Sequence, residues 1–252
     1  MTSETVFYIL ASIASFMVGA SKGGLPLIGI LAVPIMSLVI SPVVAAGLLL
    51  PIYIVSDMYG LWIYRKEFDV RNIAIIVPAA AIGIGVGWAT AKFTNEDMVK
   101  ILVGMIGLAY CVDALLKAKR NLPPKSADVP RGAFWGTLTG FTSFVSHSGA
   151  PPYQMYVLPQ RLDKMIYAGT TTIIFAIINL LKLPPYWFLG QVNATSLHQA
   201  LYLAPVAIIG AYAGYRLTRI IPQGPFFRLV EAALFLVSIK LIYDGVVGLN
   251  HA

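Results

Sequence analysis

Apolar residues in this chain run in long blocks, and the blocks are punctuated by charges and by Gly/Pro clusters. Ten segments are predicted: Thr5–Ala20, Leu25–Ile40, Pro42–Tyr64, Asn72–Ala91, Met98–Lys117, Gly132–Ser146, Pro151–Pro159, Lys164–Leu181, Leu197–Leu217 and Pro225–Val247. Several reach the length of about 17 to 25 residues that crosses a bilayer as a helix. Strands of a membrane barrel would alternate apolar and polar residues, and these blocks are continuously apolar. A lone segment in hydrocarbon must also satisfy its own backbone, which makes it helical. The predicted fold class is therefore an all-α polytopic membrane protein.

Composition sharpens this reading. Hydrophobic residues make up 58% of the 252 residues and charged residues 12%. Soluble domains carry about twice that charged fraction. The net charge is +7. Because the basic residues fall in short loops, they point to membrane topology and anionic lipid contact, and nucleic acid is not expected as a partner. The single cysteine, Cys111, excludes an intramolecular disulfide and a cysteine metal cage. No Lys or Arg precedes the first apolar stretch, so it is expected to be a retained helix and not a cleaved signal.

Two blocks are broken by polar residues. Ser21-Lys22-Gly23-Gly24 interrupts the first, and Ser146-His147-Ser148-Gly149-Ala150-Pro151-Pro152 interrupts the sixth. Each break makes either one kinked crossing or a hairpin, fully crossing or re-entrant. If both are hairpins, and Lys22 at a tip is set aside, 13 basic residues (Arg65, Lys66, Arg71, Lys117, Lys119, Arg120, Lys125, Arg131, Arg161, Lys164, Arg216, Arg219 and Arg228) share one face. The other face then holds 4, namely Lys92, Lys100, Lys182 and Lys240. Broken single crossings would give 10 against 7. The positive-inside rule favours hairpins and puts both termini on the non-cytoplasmic side of the cytoplasmic membrane.

The chain also repeats. The stretch from Pro78 to Trp88 aligns with that from Pro205 to Tyr215, placing Gly83 and Gly87 on Gly210 and Gly214. Ala46-Gly47 aligns with Ala168-Gly169, which places Asp57 on Asn179. Five segments per half is an odd number, so the second half is expected to be inverted. The expected organisation is a first repeat at 1–120, a cytoplasmic linker at 121–130 around Pro123-Pro124, and a second, inverted repeat at 131–252. Each repeat begins with a hairpin or re-entrant pair.

In inverted-repeat carriers, interrupted helices present N-terminal amides to a substrate near the midplane, a natural site for a small oxyanion. Both breaks have proline early in the helix that follows, where its missing N–H costs nothing. Ser21, Lys22, Gly23 and Gly24, with Ser146, His147, Ser148, Gly149, Ala150 and Pro151, are thus expected to line the substrate path, their two tips meeting in mid-bilayer. Gln154, Tyr153, Tyr156 and Thr170 of the Thr170-Thr171-Thr172 run either face the same cavity or pack. Asp57 and Asn179, polar inside apolar runs, are expected in proton coupling or gating, and His147 shares that role through its near-neutral titration. Asp57 is equally open to pairing with Lys22. Arg161 with Asp163, Lys240 with Asp244, and Glu231 with Arg228 read as local ion pairs. His147, His198 and His251 are too scattered for a metal site, and neither a catalytic set nor an ATP loop is visible. No enzyme activity and no cofactor are expected.

Several of these residues carry a family resemblance. The Lys22-Gly23-Gly24 break, the Tyr64-Arg65-Lys66-Glu67 loop, His147-Ser-Gly-Ala-Pro-Pro-Tyr153, Leu158-Pro159, Ala168-Gly169-Thr170 and Asn179-Leu180-Leu181-Lys182 together resemble the TauE/SafE family of sulfite exporter-type permeases. The resemblance covers essentially the whole chain. It implies an inner-membrane secondary transporter with two related halves, exporting sulfite, sulfoacetate or related anions. Lysine beside the glycines, and Ala150 where glycine is common, depart from the family's usual form. The expected partners are a small anionic substrate and membrane lipid, with a homodimer left open. An anion channel, or a carrier for a non-sulfur organic anion, is the alternative function.

Overall fold

The computed structural model describes residues 3–117 and 123–251. Lys119, Arg120 and the first two linker residues, 121 and 122, lie outside the described residues. The described chain is helical: α1 (Ser3–Lys22), a 3-10 helix (Pro26–Leu31), α2 (Ala32–Met36), α3 (Pro42–Ile63), α4 (Val70–Ala89) and α5 (Glu96–Lys117) precede the linker. After it come α6 (Val129–Ser146), α7 (Ala150–Val157), a 3-10 turn (Leu158–Gln160), α8 (Lys164–Phe188), α9 (Ala194–Ile220) and α10 (Gln223–His251). Among the described residues seven helices are long and apolar enough to cross a bilayer. The protein is a multi-pass membrane protein.

All ten predicted segments are present, with three corrections. Leu25–Ile40 is no continuous α-helix: Pro26 starts a 3-10 helix that passes into the short α2. The seventh segment likewise ends in a 3-10 turn. At about 2.0 Å rise per residue for 3-10 and 1.5 Å for α, each of these pieces is about 20 Å long or less, short of the roughly 30 Å hydrocarbon layer. The eighth segment does not stop at Leu181: α8 continues through Lys182 and Pro184-Pro185 to Phe188. Helix starts follow local chemistry. The side chains of Ser41 and Asp128 accept hydrogen bonds from the backbone N–H groups of Val44 and Arg131, and Asn193 forms a capping box with Ser196.

The chain folds into two compact units, Met1–Asp69 with Lys164–Pro222, and Val70–Asp163 with Gln223–Ala252. Each takes helices from both halves of the sequence. In the first unit α1 packs along α9, and α3 packs against α9, α8 and α1. Its core is small and aliphatic, built from Ala14, Val18, Met36, Leu48, Leu49, Ile52, Leu203 and Ala207. The α1–α9 contact is close because glycine sits where a side chain would not fit. A methyl group at Gly19 would run into the carbonyl oxygen of Ala207, and one at Gly210 into that of Phe16.

The second unit joins α4 to α6 and α5 to α10. Here a methyl group at Gly140 would meet the carbonyl oxygen of Ala80, and one at Gly83 that of Thr137. Gly104 faces the carbonyl oxygen of Ser238, and Gly245 that of Asp97. Buried Asn72 and Gln160 exchange two amide hydrogen bonds, at 2.9 and 3.0 Å, tying the start of α4 to the turn after α7. The expected Lys240–Asp244 pair forms at 2.8 Å on α10.

Candidate functional site

The first break lies in the first unit, where α1 ends on Lys22. A cation suits the partial negative charge of a helix C-terminus. Gly24 then takes φ +116°, a conformation open to glycine, and turns the chain back along α1. The Gly23 carbonyl, exposed by the end of the helix, accepts from the hydroxyls of Tyr64 (2.6 Å) and Thr218 (3.1 Å). Burial, with the neighbouring Tyr215 and Glu67 adding to it, holds the Tyr64 phenol well above its ordinary range, so it remains a donor at physiological pH. Tyr53 donates to Gly29 at 2.7 Å and pins the returning 3-10 helix.

Lys22 points into the unit and is 4% exposed. Its ammonium lies 2.8 Å from Oδ1 of Asp57, which is fully buried on α3. The other carboxylate oxygen accepts from the Asn179 amide of α8 at 2.8 Å. The Lys22 ammonium also sits over the Tyr53 ring, 5.1 Å from its centroid, and 5.9 Å from that of Phe175. Thr172 of α8 donates to the Lys22 carbonyl at 3.0 Å. Three residues singled out from sequence, Lys22, Asp57 and Asn179, therefore meet in one buried network.

A fourth member was not expected there. Lys182, counted above among loop charges, lies one turn beyond Asn179 on α8 and is 1% exposed, its ammonium 5.7 Å from the Tyr186 ring centroid. Its charge reaches both Asp57 and Lys22. The signal in the sequence is the three-residue spacing from Asn179, which places both side chains on one helix face. The cluster thus gathers two amines and one carboxylate among buried residues of the first unit.

The remaining residues of the predicted path are largely tied to the backbone. Ser21 donates to the Val18 carbonyl at 2.6 Å, and Thr170 accepts from the Asp69 N–H at 2.8 Å. In the second unit the sixth helix ends on His147, whose left-handed backbone (φ 52°) closes the helix as its N–H bonds the Thr142 carbonyl. Ser146 donates to Thr142, and Ser148 to Ser146, at 3.2 and 3.0 Å. Gly149, Ala150, Pro151 and Gln154 are buried in the start and first turns of α7, Gly149 standing at its N-cap. Among the described residues no group of three His, Cys, Asp or Glu is placed to hold a metal ion.

Compared with known protein families, the chain matches the one described as "Sulfite exporter TauE/SafE" over residues 8–241. No curated protein and no solved structure matches it. That match takes in both breaks, Asp57, Asn179 and Lys182, and the family is one of transporters and not of enzymes: the chain belongs to the TauE/SafE family of membrane transporters.

Proposed function

We propose that the protein is a secondary carrier that exports a small sulfur-containing anion, sulfite, sulfoacetate or a related organosulfonate, across the cytoplasmic membrane. The observation that carries this reading is the buried cluster of Lys22, Lys182, Asp57 and Asn179. Ionisable residues inside membrane helices are costly and mark substrate or ion pathways. Here cations outnumber carboxylates, which suits an anion. Export needs no ATPase, because an inside-negative potential favours anion exit by about 2.3 kcal/mol per charge per 100 mV.

Packing supports an inverted repeat as the carrier's plan. Gly19 and Phe16 precede Gly140 and Thr137 by 121 positions, and Ala80 and Gly83 precede Ala207 and Gly210 by 127. The α1–α9 and α6–α4 contacts are therefore counterparts. Asp57 bonds its own repeat equivalent, Asn179, while Gly60 meets Thr172, and Gly169 meets Tyr64. Partners on α8 fall in number as those on α3 rise, so these equivalent helices run antiparallel. The pairs Gly104–Ser238 and Gly245–Asp97 give the same sense for α5 and α10. Antiparallel equivalents suit a two-fold axis in the membrane plane. The excess of basic residues on one side supports termini on the non-cytoplasmic face.

Counterflow in proteoliposomes tests the function. Vesicles loaded with unlabelled sulfite or sulfoacetate are expected to accumulate the labelled anion in a saturable, trans-stimulated way. Uptake that is absent for every sulfur anion, or that never saturates, would overturn the proposal.

A further inference from the structure

We propose that the C-terminal ends of α3 and α9 form a site for one anionic phospholipid, whose phosphate is held by Arg65, Arg216 and Arg219 above an aromatic face. The partner is a lipid of the surrounding bilayer and not the transported solute, so the site stands independently of the carrier reading. The two helix ends are fixed to each other, because Tyr64 and Thr218 donate to the same Gly23 carbonyl at 2.6 and 3.1 Å. The Tyr64 ring also meets the Tyr215 ring edge-on, with 5.5 Å between centroids. Arg65 and Arg219 each follow one of those hydroxyl donors in the chain, and so stand side by side. Both guanidiniums lie over rings: Arg65 is 5.2 Å from the centroid of Trp62, and Arg219 is 5.7 Å from that of Tyr215. Tyr59 is three residues before Trp62, its ring 5.9 Å away, while Tyr212 and Arg216 repeat the spacing of Tyr215 and Arg219. Each helix thus carries aromatic rings that lead to arginine at the same end. Trp62 and Tyr212 are 61% and 51% exposed, and the three arginines are exposed as well. Rings below a basic rim match the profile of a phospholipid, with an acyl chain on the aromatic face and phosphate at the guanidiniums.

Charge selects an anionic lipid. A helix C-terminus carries about half a negative charge and repels phosphate, but the Lys164 ammonium donates to the Arg219 and Ile221 carbonyls and covers that of α9. Helix α9 holds no acidic residue, and the one in α3, Asp57, is fully buried against Lys22. Glu67, in the loop after α3, turns a carboxylate oxygen into the protein. Among the described residues none of the three guanidiniums is in an ion pair. Arg65 uses one of its five donors, on the Trp62 carbonyl at 2.8 Å. Planar forks with donors to spare suit a phosphate. A zwitterionic lipid brings a cation of its own to this rim, and phosphatidylglycerol brings none.

Trp62 is a built-in reporter, since bromine on an acyl chain quenches a tryptophan that it touches. The full chain carrying Trp88→Phe, Trp135→Phe and Trp187→Phe is reconstituted in phosphatidylcholine vesicles with equal small fractions of dibrominated phosphatidylglycerol or dibrominated phosphatidylcholine. Phosphatidylglycerol is expected to associate with Trp62 at least about fivefold more tightly. Arg65→Gln/Arg219→Gln should bring the two lipids to within about twofold. Lys125→Gln/Arg228→Gln removes two exposed charges of the second unit and should leave the preference intact. Where the tryptophan replacements prevent folding, native mass spectrometry of the unaltered chain and of both pairs reads the same preference as retained lipid. Equal quenching by the two lipids, a preference that survives Arg65→Gln/Arg219→Gln, or one lost equally in both pairs overturns the site. Trp62 quenched by neither lipid also overturns it, because a protein surface then covers this face. Sulfur-anion counterflow bears on the carrier reading alone.

Discussion

Replacing Lys22 with methionine keeps most of the side-chain volume and removes its charge, stranding the fully buried Asp57 carboxylate with the Asn179 amide and the more distant charge of Lys182. At the observed 2.8 Å separation, Coulomb attraction at an effective dielectric of about 20 is about 6 kcal/mol before desolvation is subtracted. Removing one partner of such a buried pair costs about 3–5 kcal/mol, whereas neutral replacement of both is often nearly without cost. In a chain of this size each kcal/mol moves the melting temperature by about 2–4 °C, so Lys22→Met should melt at least about 6 °C below wild type. Lys22→Met/Asp57→Asn should recover most of that loss. Thermal unfolding in nanodiscs, followed by the fluorescence of the 4 tryptophans, reads all of these. The pair's comparator is Lys240–Asp244, with side chains 39% and 25% exposed. There, Asp244→Asn should cost no more than about 1 kcal/mol. A Lys22→Met protein that melts with wild type, or a double variant that loses the sum of both single losses, would refute a buried, coupled pair.

Two further outcomes follow from the packing. Gly83→Ala should sharply reduce folded protein, because its methyl meets the Thr137 carbonyl oxygen; Gly85→Ala, with nothing within 4 Å, should melt at or above wild type through its better helix propensity. Size-exclusion yield and melting temperature separate them. The Gly23 carbonyl has two hydroxyl donors, so Tyr64→Phe and Thr218→Val should each cost about 1 kcal/mol. The double variant orphans the carbonyl and should lose more than the sum, as read in a double-mutant cycle.

Much of this arrangement is legible before any coordinates. Polar and glycine residues inside apolar blocks mark both breaks, because a helix in lipid has no other reason to stop there. Aligning Ala46-Gly47 with Ala168-Gly169 equates Asp57 with Asn179, and the two side chains are hydrogen-bonded. Lys182 is misread because a charge at the end of an apolar block looks like a boundary. Pro184 and Pro185 reinforce the impression, yet α8 carries both within its last turns. The competing uses of Ser21, Ser146 and Ser148 are also hidden, since a serine near a break can donate to a ligand or to a backbone carbonyl nearby, and sequence does not distinguish them. The same holds for His147, whose left-handed backbone closes a helix while its side chain suggests titration.

The most direct test of the anion cluster is a structure with selenite, the selenium counterpart of sulfite, located by anomalous scattering. A selenium peak at the Lys22–Lys182 cluster, with an oxyanion oxygen at about 3 Å from a lysine Nζ, is the predicted result. Selenite well occupied elsewhere in the protein, with no peak at this cluster and Lys22 still against Asp57, would contradict it.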